Sequence, residues 1–269
     1  MNREEWINRL KEVQPMLFDG LRRMVAIPSI RGKEEPDAPF GRGPKQALEE
    51  VLKIATELGF QTKNIDDKIG YAEYGENRAD GAYYGIFGHV DVMPLGEGWN
   101  SPPLSLTLRE GKLFGRGTLD NKGPILSNLY ALYVLKENGV TFDRPVRIVF
   151  GTNEETGFGC VKHYLTKEIP TFGWTPDCKW PVVYGERGRL KVRVSVPESM
   201  VADLYDFANC KLLHTNHRGE ELGIAYQDED FGMMQLRGET FGIEENQHYV
   251  EWTMCYPASC TKSDLLNQI

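Results

Sequence analysis

The chain has 269 residues, of which 41% are hydrophobic and 26% charged, and its formal net charge at pH 7 is -8. This is the composition of a globular protein, and it excludes fibrous and wholly disordered chains. Acidic side chains outnumber basic ones by 39 to 31, so no basic surface is indicated and nucleic acid is not an expected partner. The apolar runs fall far short of the roughly 20 residues that a membrane-spanning helix needs, so no membrane partner is expected either.

The N-terminal segment and the cysteines both favour a cytoplasmic location. The chain begins MNREEWINRLKEV, with charges where a secretory signal would have its apolar stretch. Its five cysteines form no CxxC pair, and we expect reduced thiols. Cys178 lies next to a candidate site residue but is given no role.

Helical and strand-like segments alternate along the first two thirds of the chain. Apolar residues recur at helical spacing from Glu4 to Met24, where Pro15 predicts a break between two short helices. The segments that follow are predicted as a helix at 45–58, strands at 71–74 and 82–92, a hairpin around 110–111, a helix at 124–138, a strand at 146–150 and a helix at 160–166. This alternation predicts an α/β fold in which helices flank a mixed sheet.

The character of the sequence changes after Glu186. A strand-like segment at 190–196 and a helix-like segment at 200–208 are followed by short segments separated by glycines. We therefore expect a domain boundary near residue 189, with a larger domain at 1–189 and a smaller α+β domain at 190–269.

Two motifs place metal-binding side chains near strand ends. The strand in GIFGHVDVM leads to His89 and Asp91, whose side chains share one face because strand side chains alternate. A neutral imidazole binds a cation such as zinc, and the neighbouring carboxylate can hold the other ring nitrogen. In GRGTLDNKG, Asp120 precedes a helix and can bind a cation, a substrate ammonium group or the helix N-terminus. Alone, each motif also has an ordinary structural reading, as a hydrogen-bonded histidine or a helix N-cap.

Two further motifs add carboxylates. The strand before NEETG delivers Glu154 and Glu155 together, and adjacent carboxylates repel unless a cation lies between them or one is protonated. One can then bind a metal while the other accepts a proton from water. Asp177, in TPD, is an ordinary turn aspartate on its own. All four motifs, however, belong to one α/β unit, where side chains at strand ends converge on a ligand-binding crevice.

The order GHVDVMP, GWNSPP, GRGTLDNKG, NEETG and TPD resembles the M20 zinc metallopeptidases. Within that family it is most similar to the bacterial PepV-like branch of Xaa-His and β-Ala-Xaa dipeptidases. The resemblance covers about residues 5–190. It implies a zinc-peptidase-like catalytic domain at 1–189 and a lid domain at 190–269.

The resemblance also implies the metal ligands, with two zinc ions as the cofactor. His89 and Asp177 would bind one zinc ion, Asp120 would bridge the two ions, and Glu155 would bind the second. A cis peptide bond between Asp120 and Asn121 is implied as well.

The reaction implied by the resemblance is zinc-dependent hydrolysis of the peptide bond of a dipeptide or short peptide. A hydroxide that bridges the two metal ions would attack the carbonyl, while Glu154 takes a proton and passes it to the leaving amine. Asp91 would orient His89.

The chain departs from the family pattern in its second half. The last zinc-binding histidine of the family and the histidine of its AHAS-like lid segment have no match here. The remaining histidines are not proposed to replace them: His163, His214, His217 and His248. We therefore expect a truncated chain with a shortened lid, a second zinc site without its terminal histidine, and impaired activity. Self-association or a complementing C-terminal segment is the partner that such a site would need.

Two alternative functions stay open. Under the first, the chain is an inactive, metal-binding M20 relative that acts through interaction with a partner. Under the second, it is an M20 amidohydrolase that deacylates N-acyl amino acids. The metal-binding motifs are common to all three hypotheses, so the motifs alone do not separate them.

Overall fold

The structure is a computed structural model that describes residues 1–177 and 183–269. Cys178 lies outside the described residues. The chain divides into two units, Met1–Cys178 and Lys179–Ile269, and the assignment of a catalytic domain at 1–189 and a lid at 190–269 stays a prediction. Within the described ranges, no helix has the length and apolar character that a membrane span requires.

The first unit contains a five-stranded mixed sheet flanked by helices, which confirms the predicted fold class. Its elements are α1 (Arg3–Val25), α2 (Arg42–Glu57), β1 (Gln61–Ile65), β2 (Ile69–Tyr74), β3 (Tyr84–His89), β4 (Thr107–Arg109), β5 (Lys112–Phe114), α3 (Lys122–Glu137), β6 (Val146–Gly151), α4 (Gly159–Leu165) and β7 (Phe172–Trp174). The strand order is β1-β2-β6-β3-β7, and β4 and β5 form a separate hairpin. Strand β3 runs parallel to β6 and β7, while β2 is antiparallel to both β1 and β6.

The predicted break at Pro15 is wrong, because α1 is one continuous helix of 23 residues. Proline removes one N–H from the helix ladder and leaves the carbonyl four residues earlier without its usual partner. Both Pro15 and Lys11, which carries that carbonyl, are exposed, so water can satisfy the carbonyl. A capping box between Asn2 and Glu5 secures the start of the helix.

Strand β6 lies at the centre of the sheet and is buried along its whole length. Because its side chains alternate, Ile148 and Phe150 belong to the core beneath α1, α2 and α3. Val149 faces the opposite side, where it packs with Cys160 and Tyr164 of α4. The sheet is thus covered on both faces.

A buried lysine ties the start of α3 to the end of α1. The side chain of Lys122 is fully buried, and its Nζ donates to the backbone oxygens of Met24 and Ile27, each at 2.9 Å. Burial lowers the pKa of Lys122 to about 7, although the negative charge of Asp91 opposes the shift. These hydrogen bonds fix the position of the loop that carries the GRGTLDNKG motif.

The second unit is a three-stranded antiparallel sheet with two main helices. Its elements are β8 (Gly188–Pro197), α5 (Val201–Ala208), β9 (Gln227–Asp228), β10 (Gly232–Met233), β11 (Gln235–Glu244), β12 (Gln247–Tyr256) and α6 (Lys262–Gln268), with short helical turns at Glu198–Met200, Asn209–Leu213 and Glu220–Leu222. The strand order is β11-β12-β8, and β9 pairs with β10. Its core is built around Leu204, Trp252 and Leu265, and it agrees with the α+β character predicted for this half.

The Lys122→Met substitution should lower the free energy of unfolding by about 1–3 kcal/mol, because two buried carbonyls lose their donor. Urea denaturation measures this change. The exposed Lys53 of α2 provides the matched control, and Lys53→Met should change stability by less than about 0.5 kcal/mol. Equal stability of Lys122→Met and the parent chain would contradict the assigned role.

Candidate metal centre

His89 ends β3 and presents one ring nitrogen to the site. Its side chain is 1% exposed. Nδ1 lies 3.0 Å from the backbone oxygen of Asp91 and 3.3 Å from the Oδ1 atom of the same residue. Both atoms are acceptors, so the proton of a neutral ring lies on Nδ1 and leaves Nε2 free to bind a metal.

Two carboxylates converge on Nε2 of His89. The ring nitrogen lies 3.0 Å from Oδ1 of Asp120 and 3.2 Å from Oδ2 of Asp177. Ligand atoms of these three residues all lie within 4.8 Å of one another. One imidazole nitrogen and two carboxylate oxygens are donors that suit zinc and related divalent cations, so the residues fit the metal that the sequence predicts.

Charge around His89 also suits a cation. Burial disfavours the imidazolium form, but the carboxylates of Asp120, Asp177 and Asp91 outweigh that cost and raise the pKa of His89 to about 12. The hydrogen bond from His89 in turn lowers the pKa of Asp120. The negative charge that stabilises this proton would equally stabilise a bound metal ion.

Asn121 joins two of these ligands through its side chain, a role that the sequence did not predict. The peptide bond between Asp120 and Asn121 is cis, as the resemblance implied. The buried side chain of Asn121 donates from Nδ2 to Oδ1 of Asp177 at 3.0 Å and accepts from the backbone N–H of His89 at 3.3 Å. Its position next to Asp120 in GRGTLDNKG was the one sequence signal that pointed to it.

Asp91 links the histidine to the NEETG turn. Its side chain is 2% exposed. Oδ1 accepts from the backbone N–H of Glu154 at 3.1 Å, and Oδ2 accepts from that of Glu155 at 3.2 Å. Asp91 therefore contacts the ring of His89 through both its backbone oxygen and its carboxylate, and the carboxylate also fixes the start of the turn.

The two glutamates of NEETG differ in position. Oε2 of Glu154 lies 3.7 Å from Nε2 of His89. Burial raises the pKa of Glu154 to about 7; the charge of His89 opposes this shift, and Asp177 and Glu155 add to it. Burial also raises the pKa of Glu155, to which Asp120 contributes. Among the described residues, the group that could hold a metal contains His89, Asp120 and Asp177 and does not include Glu155.

Sequence comparison links the chain to known peptidases. A family model described as peptidase family M20/M25/M40 matches residues 85–269. A Staphylococcus saprophyticus protein named "Putative dipeptidase" is 37% identical over 186 residues, which are 68% of this chain and 39% of that protein. A protein with the same description from Staphylococcus aureus strain MRSA252 is 36% identical over 264 residues, which are 97% of this chain and 55% of that protein. The chain thus spans about half the length, or less, of these curated relatives.

Solved structures match the same fold. Human carnosine dipeptidase 1 has a TM-score of 0.70 at 17% identity, over 98% of this chain and 75% of that chain. The dipeptidase Dug1p of Saccharomyces cerevisiae has a TM-score of 0.66 at 14% identity, over 98% and 74% of the two chains. An M20 family metallo-carboxypeptidase of Sulfolobus solfataricus has a TM-score of 0.63 at 15% identity, over 94% and 74%.

Glu154→Gln should stabilise the metal-free protein more at pH 8 than at pH 5. The pKa of Glu154 is about 7 in the folded chain against an ordinary value of 4.5, so the parent chain loses stability as the pH rises through this interval. Because water reaches the carboxylate, we expect the advantage of the variant to grow by about 1–2 kcal/mol.

Urea denaturation in the presence of a chelator measures this advantage at both pH values. The exposed Glu97 supplies the control, since Glu97→Gln should alter stability by less than about 0.5 kcal/mol at either pH. An advantage of Glu154→Gln that is the same at pH 5 and pH 8 would rule out the raised pKa.

Proposed function

The chain belongs to peptidase family M20/M25/M40, and from that premise we propose that it is a zinc-dependent dipeptidase. The observation that carries this proposal is the convergence of His89, Asp120 and Asp177 on one point beside Glu154. The word dipeptidase in the names of both the curated relatives and two structural neighbours supports the choice of substrate class. These names favour peptides over N-acyl amino acids as the substrate.

His89, Asp120 and Asp177 would hold the metal. A bound zinc ion would polarise the scissile carbonyl and make a nearby water more acidic. Asp120 is also the residue proposed to be shared with a second ion, for which Glu155 is the other proposed ligand. The side chain of Asp120 is 60% exposed, so its carboxylate is accessible on the side away from His89.

Asp91 and Glu154 have separate tasks in the proposed reaction. Asp91 holds Nδ1 of His89 and so keeps Nε2 directed at the metal ligands. Glu154 accepts a proton from water and delivers it to the amine that leaves. In the metal-free chain, burial raises the pKa of Glu154 above its ordinary value, and a raised pKa brings a carboxylate closer to the working pH at which a general base is most effective.

The charge of the site favours a substrate with a free amino end. Several carboxylates surround a single histidine here: Asp91, Asp120, Glu154, Glu155 and Asp177. An ammonium group is attracted to such a site, whereas a substrate carboxylate is repelled unless metal binding offsets the negative charge. We therefore propose dipeptides and short peptides with an unblocked N-terminus as substrates.

Glu154→Gln should abolish peptide hydrolysis while leaving zinc binding nearly unchanged, because it removes a base and not a ligand. Release of free amino acids from a dipeptide panel measures turnover, with acetyl-amino acids assayed in parallel. Elemental analysis after dialysis against zinc measures binding. Turnover by Glu154→Gln equal to that of the parent chain would overturn the role of Glu154. A zinc-loaded parent chain that hydrolyses no dipeptide would overturn the proposed activity.

Asp120→Asn should lower zinc occupancy, since an amide oxygen carries no charge to offset that of the cation. The same elemental analysis measures the loss. The exposed Asp206 of α5 is a matched control, and Asp206→Asn should retain the occupancy of the parent chain. Full occupancy in Asp120→Asn would show that Asp120 is not a required ligand.

A further inference from the structure

The second unit carries a surface concavity beside β11, which we name the β11 concavity. Its volume is about 530 Å³, within the range of roughly 300–1,000 Å³ that is common for small-molecule sites. The residues that line it include Asn216, His217, Arg218, Met233, Arg237 and Glu239. All of them belong to the second unit, so the concavity shares no residue with the candidate metal centre.

Glu239 brings a buried negative group to the β11 concavity. Its side chain is 15% exposed, and its Oε1 atom is buried and accepts no hydrogen bond from the described residues. Nδ1 of His217 lies 3.5 Å from Oε1, which is too long for a good hydrogen bond. Because this carboxylate is largely shielded from water, its negative charge attracts a positive group in the concavity more strongly than an exposed carboxylate would.

Two arginines bring the opposite charge to the same concavity. Arg218 and Arg237 both line it, and both are exposed. Nη2 of Arg237 contacts Sγ of Cys255, which restrains the guanidinium. A planar guanidinium is well suited to bind a carboxylate through two parallel hydrogen bonds.

The backbone around the β11 concavity is irregular in a way that redirects side chains. The pairing of β11 with β12 shifts register between Arg237 and Thr240, and Gly238 has a left-handed φ of 71°. Such bulges re-aim side chains and are frequent beside functional sites. On the other side, His217 has a left-handed φ of 59°, and its backbone oxygen accepts from the N–H of Leu236 at 2.7 Å.

We propose that the β11 concavity binds a free α-amino acid, with its ammonium group on Glu239 and its carboxylate on Arg218 and Arg237. A simple anion would be repelled by the carboxylate of Glu239, and a simple cation would be repelled by the two arginines. A zwitterion satisfies both charges at once. The proposal does not depend on the proposed peptidase activity, because its residues lie outside the metal-binding group.

The test is calorimetric titration of the metal-free chain with L-leucine, in the presence of a chelator so that no metal can capture the amino acid. N-acetyl-L-leucine lacks the ammonium group, and L-leucinamide lacks the carboxylate. Each analogue should bind at least about tenfold more weakly than leucine, since each loses one charge-assisted hydrogen-bonding group. No heat of binding with leucine at about 10 mM would overturn the proposal, as would equal affinity for leucine and both analogues.

Substitutions test which residue binds each charged group of the amino acid. Glu239→Gln should weaken the binding of leucine about tenfold and leave the affinity for N-acetyl-L-leucine unchanged. Both arginines are exposed, and Arg218→Gln and Arg237→Gln should each weaken the binding of leucine and of N-acetyl-L-leucine. The affinity for L-leucinamide should be unchanged. The exposed Glu229 of the same unit serves as the control, because Glu229→Gln should retain the parent affinity. Leucine affinity that survives in both arginine variants would place the ligand elsewhere.

Discussion

The candidate centre depends on one buried carboxylate, that of Asp91. Strands β3 and β6 are parallel neighbours, so their carboxyl ends reach the same edge of the sheet. Asp91 accepts from the two backbone N–H groups that follow β6 and also contacts the imidazole that ends β3. Loss of this carboxylate would leave two backbone donors unpaired and remove one of the two acceptors beside Nδ1 of His89, the other being the backbone oxygen of Asp91. Ligand geometry and backbone packing are therefore coupled through the same group.

Much of this arrangement can be predicted from local pattern. The shared face of His89 and Asp91 follows from strand alternation, and the convergence of all four motifs on one crevice follows from their place in one α/β unit. Asp120 and Asp177 as the partners of His89 were implied by the family resemblance. Asn121 could not be predicted in the same way, because its two hydrogen bonds reach residues that are distant in sequence. The helix break predicted at Pro15 is wrong because proline propensity is a local rule, whereas the exposure of that side of α1 is set by tertiary packing.

The structure of the second half of the chain is the part least predictable from its sequence. The sequence assigned His217 no site role, and its proximity to Glu239 depends on the placement of β11. The bulge that shapes this region arises from strand pairing, which no local motif specifies. Glu154 and Glu155 are adjacent in the sequence, but of the two only Glu154 lies beside Nε2 of His89. Their adjacency could not predict this difference, because Asp91 sets the direction of the turn. The second metal ion of the resemblance stays a prediction.

The most direct test of the metal assignment is anomalous X-ray diffraction at the zinc edge from crystals of this chain grown with zinc. We predict an anomalous peak within bonding distance, about 2.0–2.2 Å, of Nε2 of His89 and of carboxylate oxygens of Asp120 and Asp177. A second peak between Asp120 and Glu155 would extend the assignment to two ions. Absence of a peak at His89, with zinc bound only at other residues, would contradict it.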